Sequence, residues 1–177
     1  CMKRACRKLV GFYEWSGLLR IWISVYFELT FAALLQVKTM NFSSPTYIIS
    51  SILGVVTLIL NTIFPFLLFL IMKRIDKTRE NVSKFRAITE DLDLAHSGSR
   101  YFMSFVMLRR LLQAFGIVFL YYLPILQTTV NWMVNFILLI LYIVYRPHNR
   151  KVMNFMNTYI EITFFVIHSL LIIFALD

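Results

Sequence analysis

Five stretches of the chain are apolar around the whole helical circumference, with no polar face wide enough for a water-facing surface. They run roughly over Trp15–Val37, Pro45–Met72, Met103–Leu123, Leu126–Tyr145 and Phe155–Leu176. Each has about the 20 mostly apolar residues that a helix needs to cross hydrocarbon. A transmembrane β-barrel would instead show segments of about ten residues with alternating hydrophobicity, and the chain has none. The pattern predicts an all-α, multi-span transmembrane helical bundle of about five spans, one membrane domain over residues 1–177.

Proline marks the boundaries. Ser43-Ser44-Pro45 reads as a cap followed by a helix start. Pro124 separates the third and fourth spans, and Pro147 stops the fourth. Pro65 falls inside the second span, where its ring removes a backbone donor and is expected to kink the helix. The Asn61 side chain, one turn earlier, is expected to help satisfy the freed backbone group. The one long polar region is Lys73–Arg100, and a cytoplasmic helical segment is expected over 73–102. Within it Ile75, Val82, Phe85, Ile88 and Leu92 recur at helical spacing. This predicts a cytoplasmic amphipathic helix that extends the second span to about Leu94, before His96–Ser99 turns the chain back. Such a helix is either a solvated juxtamembrane element or a coupling or lipid-binding one.

Composition narrows the class. The chain is 59% hydrophobic and only 15% charged, with a mean hydropathy of +0.72. Soluble domains carry about 45–50% apolar and roughly 25% charged residues. Disorder is excluded, and too little polar surface remains for a soluble globule. The net charge of +9 is a matter of topology. If five spans alternate, seventeen of the eighteen Lys and Arg lie on or near one side, and only Lys38 lies on the other. By the positive-inside rule the N-terminus is cytoplasmic and Asp177 is on the far side. The basic charge therefore does not indicate a nucleic-acid partner. Trp15 at the inner boundary, and Tyr47, Tyr121, Tyr122 and Trp132 at the outer one, fit aromatic belts. Asn41-Phe42-Ser43 is a glycosylation sequon on the outer side, while Asn81-Val82-Ser83 lies inside and should be silent. Cys1 and Cys6 cannot build a disulfide framework or a zinc quartet. They are free thiols or palmitoylation sites beside basic residues. A first residue that is Cys rather than Met points to a longer chain N-terminal of Cys1, or to processing.

No nucleophile motif, zinc helix or phosphate loop is present, so no enzyme, metal or cofactor is expected. The candidate residues are the polar ones inside the spans, which are costly in hydrocarbon and usually face the bundle interior or a water path. Arg20, Ser24 and Glu28 share one face of the first span, with Gln36 further out. Thr57 and Asn61 lie in the second, Gln113 one turn beyond Arg109 in the third, Asn131 and Asn135 in the fourth, and Glu161 and His168 in the fifth. Glu28, Asn61, Gln113, Glu161 and His168 are the candidate ion-path or intramembrane polar residues. At ~1.5 Å rise per residue, Glu161, Arg20, Arg109 and Arg110 share a layer about 8–10 Å from the inner boundary. An ion pair from Glu161 to Arg110, Arg109 or Arg20, in that order, is expected as a structural tie.

Three stretches carry a resemblance. They are Leu18-Leu19-Arg20-Ile21-Trp22-Ile23-Ser24-Val25-Tyr26-Phe27-Glu28-Leu29, Arg109-Arg110-Leu111-Leu112-Gln113-Ala114-Phe115, and Tyr145-Arg146-Pro147-His148-Asn149 through Asn154 and Asn157. Together they resemble the C-terminal membrane region of transient-receptor-potential-like proteins, a group that includes polycystin-like and fungal flavin-carrier proteins. The stretches also resemble the multi-span tail of the kind found in large ciliate cysteine-rich surface proteins. The resemblance implies cation transport or mechanical sensing in a plasma or ciliary membrane. The chain shows no selectivity-filter motif of Gly, Asp or Glu between two spans. The alternative is a non-conducting membrane anchor or accessory subunit of a larger membrane or extracellular assembly. Expected partners are the lipid bilayer and other membrane subunits or a homo-oligomer.

Overall fold

The computed structural model describes residues 2–40, 42–74, 89, 92–93 and 97–176. The amphipathic stretch over 75–88, the sequon residue Asn41, the turn residue His96 and both termini lie outside the described residues. Five helices follow in order: α1 (Met2–Lys38), α2 (Pro45–Arg74), α3 (Ser97–Phe119), α4 (Pro124–Tyr145) and α5 (Lys151–Leu176). All five contain a segment long and apolar enough to cross a membrane, from 22 to 30 residues. The fold is an all-α bundle. α1 starts well before its apolar part, which runs over Gly17–Lys38.

α1, α2 and α3 form a mutually packed triad; α4 packs on α3, and α5 chiefly on α4. Two apolar clusters fill the interior. The larger joins Tyr26, Leu68, Met72, Leu92, Phe102, Met107, Leu138 and Tyr142, and the smaller joins Leu34, Ala114 and Val118. Gly54 lets α1 come close to α2, since a Cβ there would stand 2.8 Å from Gln36 Cγ. The outer surface is the reverse of a soluble protein's. Ile52, Leu53, Phe66, Ile137, Phe155 and Phe174 are among many large apolar side chains more than half exposed. In water such a continuous apolar surface would aggregate, whereas in a bilayer it is the solvated face.

Short links tie the helix ends. Lys38 donates its ammonium to the Val118 carbonyl at 2.7 Å, capping an end of α3, and lies 3.8 Å from the Tyr121 ring centre. At the opposite end Leu92 bridges to His148, the Asp93 amide donates to the Pro147 carbonyl at 2.8 Å, and Asn149 donates to the Leu92 carbonyl. The α2–α3 connection is thereby docked on the α4–α5 loop. Beside it, the Tyr145 ring lies so close to Gly98 that a Cβ there would clash with its ring carbons. Gly98→Ala is expected to cost about 1–3 kcal/mol, the range for overpacking, because the clash reaches Tyr145 Cγ at the stem of the ring. Thermal unfolding in detergent would measure this, and an unchanged midpoint would contradict it.

Candidate polar seam within the bundle

Arg109 and Arg110 are neighbours in sequence, so on a helix they point about 100° apart and serve different partners. The Arg109 guanidinium turns to α5, where its Nη1 lies 2.6 Å from Glu161 Oε2. Arg110 turns the other way and donates to the Ile23 carbonyl of α1 at 2.8 Å. The carboxylate therefore meets the second of the three arginines named from the sequence. Glu161 is buried, and Arg109 is mostly so. Gln113 stands one turn from Arg109 on the same face. Its amide donates to Asn135 Oδ1 at 3.1 Å, and Arg109 Nη1 approaches the same oxygen at 3.5 Å. Asn135 of α4, 1% exposed, is thus the hub of a seam joining α3, α4 and α5.

His168 borders this seam without extending it. Its Nδ1 lies 2.8 Å from the Phe164 carbonyl, which only an N–H can make into a hydrogen bond. With Nδ1 protonated, the 3.4 Å approach of Asn135 Nδ2 sets two donors face to face and is a contact only. Towards the far end of α4 and α5, Trp132 Nε1 donates to Ser169 Oγ at 2.9 Å.

A second polar knot joins α1 to α2, and Pro65 explains it. Without an N–H, Pro65 leaves the Asn61 carbonyl, four residues earlier, without its helical donor. The Tyr26 hydroxyl fills that role from α1, donating to the Asn61 carbonyl at 2.9 Å. The Asn61 side chain does not serve its own backbone; it donates to Thr30 Oγ1 at 3.0 Å. The Thr30 hydroxyl in turn donates to the Tyr26 carbonyl at 2.6 Å. Tyr26, Thr30 and Asn61 are all fully buried. α2 continues as one helix through Pro65 to Arg74.

Glu28 lies elsewhere. Residues two apart on a helix point about 200° apart, so the face that buries Tyr26 and Thr30 turns Glu28 outward. Glu28 is exposed, as are Arg20 and Ser24 on the same outward face. It sits midway along the apolar part of α1, and no hydrogen bond or ion pair reaches it among the described residues. The five candidate residues are thus divided among three places: Gln113 and Glu161 within the seam and His168 at its border, Asn61 in the α1–α2 knot, and Glu28 on the outside.

Sequence reasoning missed the Tyr26 hydroxyl and the hub role of Asn135. The missing donor at Pro65 was the available signal for the first. It also missed how the stretch Tyr145–Asn157 works. Asn154 accepts from the His148 amide at 2.9 Å and donates to the His148 and Arg146 carbonyls. Asn157 donates to His148 Nε2 at 2.8 Å. Two asparagines in the first two turns of α5 therefore fold the preceding loop onto the helix.

Chemically, most donors of the seam and the knot meet acceptors between helices. Two buried atoms, Arg109 Nε in the seam and Asn61 Oδ1 in the knot, have no partner among the described residues. Clefts of about 340, 270 and 220 Å³ lie near the α4–α5 loop end of the bundle. None of these three is lined by Glu28, Asn61, Gln113, Glu161 or His168. Among the described residues no three His, Cys, Asp or Glu side chains gather where a metal ion could sit. The fold and the seam define an all-α, multi-pass membrane protein. No protein-family model, curated protein or solved structure matches the chain.

Proposed function

We propose that the chain is a membrane domain of the transient-receptor-potential-like kind, which assembles laterally to serve cation transport or mechanical sensing. Its polar path runs along the outer face of α1, between subunits, and not through the bundle. The observation that carries this reading is Glu28: a carboxylate halfway through an apolar span, facing away from its own bundle. A carboxylate facing lipid at that depth is costly, and such groups regularly mark ion pathways or lateral partners. A neighbouring subunit, or water at an interface, supplies what the single bundle does not. The charge asymmetry orients the domain with its N-terminus in the cytoplasm, and the resemblance favours a plasma or ciliary membrane.

The protein reconstituted into liposomes is expected to pass cations, and Glu28→Gln is expected to lower that flux about tenfold or more, on the scale of 1.4 kcal/mol per decade. Ser24→Cys, on the same face, is expected to form an intermolecular disulfide in the membrane. Flux that persists unchanged in Glu28→Gln would remove Glu28 from the path. The second reading, a non-conducting anchor or accessory subunit, is favoured by the Arg109–Glu161 and Gln113–Asn135 links inside the bundle. It becomes the better one if Ser24→Cys cross-links while liposomes show no flux above protein-free controls.

A further inference from the structure

The end of α4 and the start of α5 flank the cleft of about 340 Å³, lined by Ile143, Arg146, Lys151, Asn154, Phe155 and Thr158 among others. Its volume is in the range of small-molecule sites. Arg146 is the one non-glycine residue with positive φ among the described residues, at φ 42° and ψ 63°. That conformation is disfavoured for an arginine, yet two bonds hold it. The Arg146 amide donates to the Tyr142 carbonyl at 3.1 Å, and Asn154 Nδ2 donates to the Arg146 carbonyl at 3.3 Å. The locked backbone brings Arg146 to the same cleft as Lys151. Neither cation makes an ion pair among the described residues, and the lining includes no carboxylate. Asn154 spends its amide on the loop, and Thr158 donates its hydroxyl to the Asn154 carbonyl. Two unmatched cations dominate the polar wall. The apolar part of the lining includes Ile143 and Phe155, 54% and 74% exposed on the outer surface of the bundle.

We propose that this cleft binds an anionic phospholipid of the leaflet on the basic side, its phosphate between Arg146 and Lys151 and an acyl chain along Ile143 and Phe155. A phosphate takes charge-assisted bonds from both cations. Basic pockets between spanning helices at the membrane boundary suit such headgroups. A soluble anion would use the cations but leave the apolar wall uncovered. The lipid covers both, and its headgroup sits just beyond the last residue of α4 and at the first of α5, where the hydrocarbon ends.

The test uses the detergent-solubilised protein and native mass spectrometry with three probes: short-chain phosphatidic acid, short-chain phosphatidylcholine and inorganic phosphate. Phosphatidic acid is expected to bind about tenfold or more tighter than either of the others. Arg146→Asn keeps the backbone conformation, which asparagine tolerates, and removes the charge. It and Lys151→Gln are each expected to weaken phosphatidic acid binding about fivefold, the scale of one cation at a membrane surface. Arg150→Gln removes a neighbouring charge that does not line the cleft, and should change binding by less than about twofold on the same scale. Inorganic phosphate binding as tightly as the lipid would make this a soluble-anion site and overturn the proposal. Equal loss in Arg150→Gln would show diffuse surface attraction and overturn it too, as would no preference for the anionic lipid. If Arg146→Asn fails to fold, Lys151→Gln against Arg150→Gln decides the matter.

Discussion

Glu161→Gln is expected to destabilise the bundle by about 3–5 kcal/mol, the range for removing one partner of a buried ion pair. The pair to Arg109 is the most buried charge contact described, with Glu161 5% and Arg109 15% exposed at the side chain. The glutamine still offers an oxygen, but the guanidinium keeps its charge with no counter-charge. Asn135 Oδ1, at 3.5 Å and already bonded to Gln113, is a poor substitute. Interhelical bonds between neutral groups in membranes average less than about 1 kcal/mol, so the size of the effect identifies the charge as its source. Removing both partners, as in Arg109→Leu with Glu161→Leu, should recover most of the loss, because no buried charge is left. Reversible unfolding in mixed micelles, followed by tryptophan fluorescence, measures all three proteins. A double variant no more stable than Glu161→Gln would refute the pairing as the cause.

The second large effect belongs to Tyr26. Tyr26→Phe is expected to cost about 1–3 kcal/mol, the penalty for a buried acceptor left without a donor. The acceptor is the Asn61 carbonyl, which Pro65 deprives of its helical partner. The sharper expectation is a coupling. In a Pro65→Ala background, residue 65 regains an N–H that can donate to the Asn61 carbonyl, so Tyr26→Phe should cost much less there. Equal losses in both backgrounds would mean that the hydroxyl does not compensate for the proline. Such a result would leave the Asn61–Thr30 bond as the main polar link between α1 and α2.

The polar contacts divide the candidate residues by role. Asn61, Gln113 and Glu161 act inside a single bundle, where their partners are other side chains and backbone carbonyls. Glu28 lies on its outer surface. A path through the middle of the bundle would have to break the Arg109–Glu161 pair or the Tyr26–Asn61 knot. A path along α1 would break neither.

The helix number and the class were legible in the sequence because they depend on local quantities: apolar run length, and the prolines and polar breaks between runs. Pro45, Pro124 and Pro147 mark ends that a reader can see without a fold. Glu161's need for an arginine was legible as well, since residue counting puts the charges in one layer. Which arginine it meets was not. Arg109 and Arg110 lie at nearly the same depth and differ by about 100° in direction, and that direction is set by how α3 rotates between α1 and α5. The same holds for Glu28, whose spacing from Arg20 and Ser24 marks a shared face but not the way that face turns. Helices apolar on every side carry too little amphipathicity to fix their own rotation in a bilayer. The burial of Tyr26 against the Asn61 carbonyl turns α1, and that contact joins residues 35 apart in sequence. The sequence by itself determined how many times this chain can cross a membrane and which polar groups it carries inside. The tertiary packing decided which of those groups meet each other and which one faces outward.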